Sequence, residues 1–186
     1  MSERIRSFIA VDVVDKEVVQ RIVALQRELL RTGADLKPVE PENLHYTLLF
    51  LGEQPKRALD ELAKRLEAVS ASCFQLELRG VGAFPREDSP RVVWIGAGRG
   101  REELTSLAYR VRELAKDIAQ ADEEFAPHLT IARVKGPRNK ERIAEFIASH
   151  RNDAFGVVQV CEVKLKKSVL TPRGPIYSDL YVKRLA

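Results

Sequence analysis

Two of the three histidines in this chain stand in the same local context, two positions before a threonine. The two segments are His45-Tyr46-Thr47-Leu48 and His128-Leu129-Thr130-Ile131. Apolar, β-favouring residues surround both segments, and in a strand the side chains at positions i and i+2 point to the same face. Each imidazole should therefore project beside a hydroxyl, which predicts one site built from two matching strands. The alternative, a structural role for each histidine in its own strand, is disfavoured because the context occurs twice.

Two imidazoles in one site can divide acid–base work. The unperturbed imidazole pKa of about 6.5 lies close to neutral pH, so one ring can accept a proton while the other donates one. The hydroxyls of Thr47 and Thr130 can donate hydrogen bonds to a phosphate, and a cation would stabilise the charge that grows in the transition state. Arg133 is the best candidate for this cation. Strict alternation places it on the face opposite His128, so its role requires a strand end or a bulge.

Other site chemistries fit the sequence poorly. Cys73 and Cys161 show no CxxC or Cys/His ligand spacing, so the sequence predicts neither a disulfide framework nor a zinc site, and Cys161 is expected to be a small buried core residue. His150 is expected to be an exposed residue at a helix C-terminus. The glycine-rich segment Gly96–Gly100 lacks the spacing of a dinucleotide-binding motif and the Walker lysine and serine, so it is interpreted as a loop.

Length, composition and charge bound the class of protein. The chain has 186 residues, of which 45% are hydrophobic and 31% are charged, and it carries a net charge of +4. It can bury a core without a metal or disulfide, and the absence of a signal peptide and of a long apolar run predicts a cytoplasmic protein with no membrane partner. Two basic segments, 133–142 and 164–184, favour a polyanionic substrate beside the paired histidines. Their basic residues are Arg133, Lys135, Arg138, Lys140 and Arg142, and Lys164, Lys166, Lys167, Arg173, Lys183 and Arg184.

Hydrophobic periodicity predicts alternating strands and helices. Strands are predicted at about 6–13, 44–52, 74–78, 91–96, 125–134, 155–166 and 175–184. Helices are predicted at about 15–31, 55–70, 101–119 and 138–149. Polar alternation in several strands favours antiparallel pairing. The predicted fold is α+β and bilobal, with two similar lobes of mostly antiparallel sheet and outer helices around a central cleft. Residues 1–186 are expected to form a single domain with one motif in each lobe.

The two HxTx motifs, about 80 residues apart, make this chain similar to the 2H phosphoesterase superfamily. Within it, the chain most resembles the bacterial and archaeal RNA 2′,3′-cyclic phosphodiesterases, historically named 2′-5′ RNA ligases. The segments that carry the resemblance extend along nearly the whole chain: Arg6–Ala10, Glu42–Gly52, Pro90–Gly96, Phe125–Arg133 and Ser168–Tyr177.

The resemblance implies a metal-independent active site that opens a terminal 2′,3′-cyclic phosphate on RNA to a 2′-phosphate, without a cofactor. It makes His45 the proton donor to the leaving 3′-oxygen and His128 the proton acceptor from the attacking water. Thr47 and Thr130 become phosphate ligands, and Arg133 corresponds to the arginine that follows the second motif. The expected partner is an RNA with a cyclic phosphate end, such as a tRNA fragment, and the protein is expected to be a monomer.

Two alternatives remain open. The first is an enzyme of the same superfamily that ligates 2′-5′ RNA ends or acts on small cyclic or 2′-5′-linked nucleotides. The second belongs to another class: an RNA end-binding protein without turnover, which would use the same residues for affinity alone.

Overall fold

The computed structural model describes residues 3–121 and 123–186, and within these ranges nine strands form one antiparallel sheet. The strands are β1 (Arg4–Asp12), β2 (Leu36–Pro38), β3 (His45–Pro55), β4 (Phe74–Arg86), β5 (Ser89–Ala97), β6 (Leu129–Val134), β7 (Ala154–Val160), β8 (Glu162–Thr171) and β9 (Gly174–Arg184). The helices are α1 (Lys16–Leu30), α2 (Lys56–Glu67), α3 (Arg101–Leu114) and α4 (Lys140–Ser149), with a short 3₁₀ turn at Pro41–Asn43. The predicted α+β class is confirmed.

The two motif strands are neighbours at the centre of the sheet. The strand order is β7-β4-β5-β6-β3-β1-β8-β9, with β2 paired to β6. The sheet therefore divides between β6 and β3. The β6 half consists of β7, β4, β5 and β6 with β2, and the β3 half consists of β3, β1, β8 and β9. Helices α1 and α4 pack on the β6 half and α2 packs on the β3 half, whereas α3 contacts both β3 and β4. Each half takes strands from distant parts of the sequence, so the two lobes interlock and share one continuous sheet.

The first helix shows how the sequence builds this core. The Asp15 carboxylate accepts a hydrogen bond from the backbone N–H of Val18 at 3.1 Å, which caps the start of α1. Ile22, Leu25 and Leu29 follow at helical spacing on the same buried face. Each such side chain stabilises the fold by about 1.5–3 kcal/mol when fully buried. Across the described ranges, none of the helices combines the length and apolar character that a membrane crossing requires.

The chain crosses from one end of the sheet to the other at a single residue. A continuous strand was expected over 155–166, but Cys161 separates β7 from β8, and these strands lie near opposite ends of the strand order. The sheet must therefore curl until its ends approach each other. The C-terminus lies at the same seam, since the backbone N–H of Cys73 donates to the carbonyl of Ala186 at 2.7 Å.

A disulfide joins Cys73 to Cys161 across this seam. The two residues are 88 positions apart in sequence, yet their Cα atoms lie 4.5 Å apart. The predictions of no disulfide and of Cys161 as a small buried core residue are therefore wrong, since Cys161 is half-buried and bonded to Cys73. Sequence spacing could not reveal the pair, because the curl of the whole sheet brings the start of β4 to the junction of β7 and β8.

Candidate active site

The two motifs meet in the middle of the sheet. Tyr46 pairs with Leu129 in the antiparallel β3–β6 ladder, and both side chains are fully buried. Each of these residues stands between the histidine and the threonine of its motif. Because the strands are antiparallel, His45 lies across from Thr130 and His128 lies across from Thr47. The four motif side chains line one cleft with a cavity volume of about 630 Å³: His45, Thr47, His128 and Thr130. The structure thus brings together residues that the sequence predicted as one site.

Backbone carbonyls orient both imidazoles in the same way. The Nδ1 atom of His45 lies 2.7 Å from the carbonyl oxygen of Asn43, and that of His128 lies 2.8 Å from the carbonyl oxygen of Ala126. A carbonyl oxygen can only accept, so Nδ1 carries a proton in both rings and Nε2 is the nitrogen free for proton transfer. The Nε2 atom of His45 lies 2.9 Å from the hydroxyl oxygen of Thr47.

Burial determines the electrostatics of His45. Its ring lies 5.1 Å from the ring of Phe8 and 5.4 Å from the ring of Tyr177, centroid to centroid, with the tyrosine in an edge-to-face arrangement. The loss of hydration lowers the pKa of His45 below its ordinary value, against the opposing effects of the Asn43 carbonyl and the Asp12 carboxylate. The neutral imidazole is therefore favoured in the free protein.

His128 has an equivalent aromatic enclosure in the other half of the sheet. Its ring centroid lies 4.9 Å from that of Phe84, edge to face, and 6.5 Å from that of Trp94. The Phe84 and Trp94 rings also contact each other, with centroids 5.1 Å apart. Aromatic packing and one backbone hydrogen bond thus hold each of the two motif imidazoles.

Arg133 reaches the cleft through a β-bulge. The register of β5 against β6 shifts between Thr130 and Ala132, so that Ile131 is an extra residue of β6. Ile131 and Ala132 are both buried, and Arg133 follows on the side of the cleft. The bulge that the proposed role of Arg133 required is present, and its side chain lines the same cleft as the motif histidines.

The cleft lining is rich in cations. From the predicted basic segments, Arg133, Lys135 and Arg173 line it. Sequence reasoning did not select Arg6 and Lys37, which also line it. The signals for these two residues were weak: Arg6 begins one of the segments that carry the family resemblance, and Lys37 lies opposite Arg133 in the β2–β6 ladder, a pairing that the sequence does not reveal.

Two lysines of the second basic segment are held in ion pairs, Lys166 buried and Lys164 half-buried. Lys166 is 5% exposed, and its Nζ lies 2.9 and 2.7 Å from the carboxylate oxygens of Asp12. Lys164 Nζ lies 3.1 Å from the carboxylates of both Asp12 and Asp179. Neither lysine lines the cleft, so the expectation that this part of the second basic segment serves a polyanionic substrate is wrong. Lys166 Nζ also lies over the Tyr177 ring, 5.8 Å from its centroid, so this cluster supports the ring that packs on the first motif histidine.

Two other candidate features do not line the cleft. His150 ends α4 and is half-buried rather than exposed, with its ring nitrogens 2.9 Å from a Glu28 oxygen and 2.8 Å from an Asp153 oxygen. Burial acts to lower the pKa of His150, but these carboxylates outweigh it and raise that pKa. Gly96–Gly100 contains the loop between β5 and α3, and the Glu77 carboxylate accepts a backbone N–H of this loop at 3.4 Å. Among the residues that the structure describes, no group of three or more His, Cys, Asp or Glu side chains is arranged to hold a metal ion.

Sequence comparisons identify the family. The sequence model of the family described as LigT like Phosphoesterase matches the chain twice, over residues 11–94 and 95–177, and each match contains one motif. An RNA 2′,3′-cyclic phosphodiesterase of Archaeoglobus fulgidus is 43% identical over 178 residues, which cover 95% of this chain and 98% of the relative. The chain belongs to the LigT-like phosphoesterase family. The resemblance drawn from the motifs is therefore confirmed.

Other LigT-like proteins match over both lobes. An RNA 2′,3′-cyclic phosphodiesterase of Aeropyrum pernix is 40% identical over 171 residues, which cover 91% of this chain and 97% of the relative. The crystal structure of E. coli LigT in apo form matches with a TM-score of 0.82 at 26% identity, covering 100% of this chain and 99% of that chain. E. coli LigT has also been solved in complex with 3′-AMP and with phosphate.

Proposed function

We propose that this LigT-like phosphoesterase hydrolyses the terminal 2′,3′-cyclic phosphate of RNA and leaves a 2′-phosphate. The observation that carries the proposal is the central pairing of Tyr46 with Leu129, which sets two imidazoles and two hydroxyls around one cleft. This arrangement supplies two proton-transfer groups and two donors to a tetrahedral anion, which are the requirements of metal-independent phosphodiester hydrolysis. The names of the curated relatives support the substrate class.

In the proposed mechanism, His128 accepts a proton from the water that attacks phosphorus, and His45 donates a proton to the leaving 3′-oxygen. The hydroxyls of Thr47 and Thr130 bind the nonbridging oxygens, and Arg133 stabilises the negative charge that grows on them. The bond from the water oxygen to phosphorus forms as the bond from phosphorus to the 3′-oxygen breaks. One water is consumed, and the phosphate stays on the 2′-oxygen.

The donor role of His45 requires a charged imidazole, whereas burial lowers the pKa of this group in the free protein. The substrate supplies the compensating charge. A phosphodiester anion bound at Thr47 would lie close to the Nε2 of His45, and a neighbouring negative charge raises the pKa of an imidazole. Substrate binding would therefore favour protonation of the donor.

We assign the substrate to RNA ends, of which cleaved tRNA fragments are one source. Cations on both sides of the cleft, including Arg6, Lys37 and Lys135, suit the phosphates that precede the cyclic end. Both motifs come from one chain, so a monomer suffices, and we propose that residues 1–186 act as one unit in the cytoplasm.

The substrate assignment is tested by comparing an RNA that ends in a 2′,3′-cyclic phosphate with a cyclic mononucleotide. A higher kcat/KM on the RNA is expected. A preference for the mononucleotide would reassign the protein to small cyclic nucleotides, and tight RNA binding without product would make it an end-binding protein. Adding an RNA with a 5′-hydroxyl to the same reaction measures 2′-5′ ligation as a competing outcome.

The two histidine roles are tested with a substrate in which sulfur replaces the leaving 3′-oxygen. A thiolate leaves without a proton, because thiol pKa values of about 8.5 are far below those of alcohols. The sulfur substrate should therefore restore activity to His45→Ala and leave His128→Ala inactive. Restoration of His128→Ala alone would exchange the two roles.

A further inference from the structure

A buried glutamine interrupts the apolar face of α1. Gln26 is only 5% exposed and lies among Ile22, Leu25 and Leu29, which pack into the core. A side-chain amide has two N–H donors and a carbonyl acceptor, so its burial is unfavourable unless these groups find partners. We therefore looked for the contacts that explain a glutamine at this position.

The Gln26 amide donates to two backbone carbonyls of neighbouring strands. Its Nε2 lies 2.9 Å from the carbonyl oxygen of Ile131 in β6 and 2.9 Å from that of Val39, the residue that follows β2. The backbone N–H of Val39 also donates to the Ile131 carbonyl, at 2.9 Å. Because carbonyl oxygens can only accept, the amide nitrogen rather than the amide oxygen must face them. One buried side chain thus ties the end of β2 to β6.

The residue that Gln26 binds in β6 is the bulge residue itself. Ile131 is the extra residue of β6 against β5, and Arg133 reaches the cleft only because of it. In a regular strand, alternation would turn Arg133 to the face opposite the motif side chains. The hydrogen bond from Gln26 is therefore made to the point in the backbone that decides on which face Arg133 projects.

The other lobe has a matching contact. The register of β1 against β3 shifts between Thr47 and Leu49, so that Leu48 is the extra residue of β3. The Leu48 carbonyl accepts a hydrogen bond from Nε of Arg112, a residue of α3, at 3.4 Å. In both lobes, a helix side chain therefore binds the carbonyl of the bulge residue that directly follows the motif threonine.

We propose that Gln26 is a positioning residue for Arg133. The inference rests on the proposed function, in which Arg133 stabilises charge on the phosphate, and deepens it. Gln26 does not line the cleft, so it acts only by holding the bulge in the backbone conformation that presents Arg133. A misplacement of about 1 Å in a group that stabilises the transition state can cost roughly a hundredfold in rate. Loss of a buried amide on α1 should therefore be measurable in catalysis.

The test is a double-mutant cycle with Gln26→Met and Arg133→Ala on an RNA that ends in a 2′,3′-cyclic phosphate. Methionine keeps the length of the side chain but has no N–H to donate. We expect Gln26→Met to lower kcat roughly 10- to 100-fold with little change in KM, because Arg133 acts on charge that grows in the transition state. In the Arg133→Ala background the same substitution should change kcat less than about twofold, since the residue that it positions is gone.

Gln54→Met is the matched control. The Gln54 amide also donates to two backbone carbonyls, those of Leu51 at 2.7 Å and Ile118 at 3.4 Å, but this residue does not line the cleft and binds neither bulge residue. Its loss removes the same two kinds of hydrogen bond elsewhere in the fold. We expect kcat of Gln54→Met to stay within about twofold of the wild-type value.

An unchanged kcat in Gln26→Met, an equal loss in Gln54→Met, or equal losses from Gln26→Met with and without Arg133 would overturn the proposal. Gln26→Asn keeps the amide but is one methylene shorter, so it must show the same dependence on Arg133, and it replaces the methionine variant if that variant does not fold. If the wild-type protein does not hydrolyse the RNA, the proposed function fails, and the positioning role is decided by calorimetry with adenosine 2′-phosphate, whose phosphate is a dianion. Gln26→Met must then weaken its binding in the wild-type background and leave it unchanged in Arg133→Ala.

Discussion

Tyr46 and Leu129 face each other across the ladder that joins the two halves of the sheet, and each is the middle residue of a motif. The Tyr46 hydroxyl donates a buried hydrogen bond to the carbonyl of Gly96 at 2.8 Å. A slip of one residue in either strand would turn that motif's histidine and threonine toward the core. The register of this one contact therefore determines whether the two imidazoles share a cleft.

The pH profile of kcat/KM should be bell-shaped, because the proposed mechanism needs His45 protonated and His128 neutral. Burial lowers the pKa of His45, so we expect one limb of the bell to lie below the ordinary imidazole value of about 6.5. Tyr177→Ala should admit water to the ring and move the limb to higher pH. The measurement is kcat/KM against pH, with an NMR titration of the His45 ring. A titration midpoint of the His45 ring at or above the ordinary imidazole value in the wild-type protein would contradict the role of burial.

Hydrolysis should not depend on a metal ion, because the proposed mechanism moves protons and stabilises charge with side chains alone. Rates on an RNA with a cyclic phosphate end are expected to be unchanged after treatment with a strong chelator. The control is the same preparation with added Mg²⁺. Complete loss in chelator with recovery on addition of a divalent ion would refute the two-histidine mechanism.

Lys166 should contribute to stability through the Asp12 ion pair. Lys166→Met leaves a carboxylate with 14% side-chain exposure without its nearest cation, and breaking a buried pair costs about 3–5 kcal/mol. Lys164 still contacts Asp12, so we expect the free energy of unfolding to fall by about 3 kcal/mol, the lower end of this range. Urea unfolding measures the change, and Lys167→Met, at the neighbouring half-buried position, is the control. If the two substitutions lower the free energy of unfolding equally, the ion pair with Asp12 does not contribute to stability beyond an ordinary surface lysine.

The disulfide should stabilise the seam of the curled sheet. Closing a loop of 88 residues is worth about 4–5 kcal/mol in the chain-entropy treatment. We expect reduction, Cys73→Ala and Cys161→Ala to lower the free energy of unfolding by similar amounts, with no further effect of a reductant on either variant. The pairing would be contradicted if a reductant did not change the stability of the wild-type protein. It would also be contradicted if the cysteines of the unfolded protein could be alkylated without prior reduction.

The sequence was sufficient to predict that each motif histidine projects beside its threonine, because that prediction depends only on neighbouring residues of one strand. A strand places residues two apart on one face, so His45 with Thr47 and His128 with Thr130 could be predicted as pairs that project together. Arg133 can reach the cleft only if the strand ends or bulges before it. The sequence showed that such a feature was needed but not where it lies. Bulges arise from the register of a neighbouring strand, which the local sequence does not show.

The rest of the molecule depends on contacts between distant segments. Lys164 and Lys166 looked like part of a basic surface because their acidic partners lie on β1 and β9. Cys73 meets Cys161 only because β7 and β8 lie near opposite ends of a sheet that curls back on itself. Neither relationship leaves a pattern in the local sequence, so tertiary structure was needed to find it.

The central claim is that the two motif histidines carry out hydrolysis. The most direct measurement is kcat/KM on an RNA 2′,3′-cyclic phosphate for His45→Ala and His128→Ala, with RNA affinity measured in parallel. We predict a loss of about 10²–10⁴-fold for each variant, the usual contribution of general acid–base catalysis, with RNA affinity within a few-fold of the wild-type protein. Full activity in either variant would contradict the account.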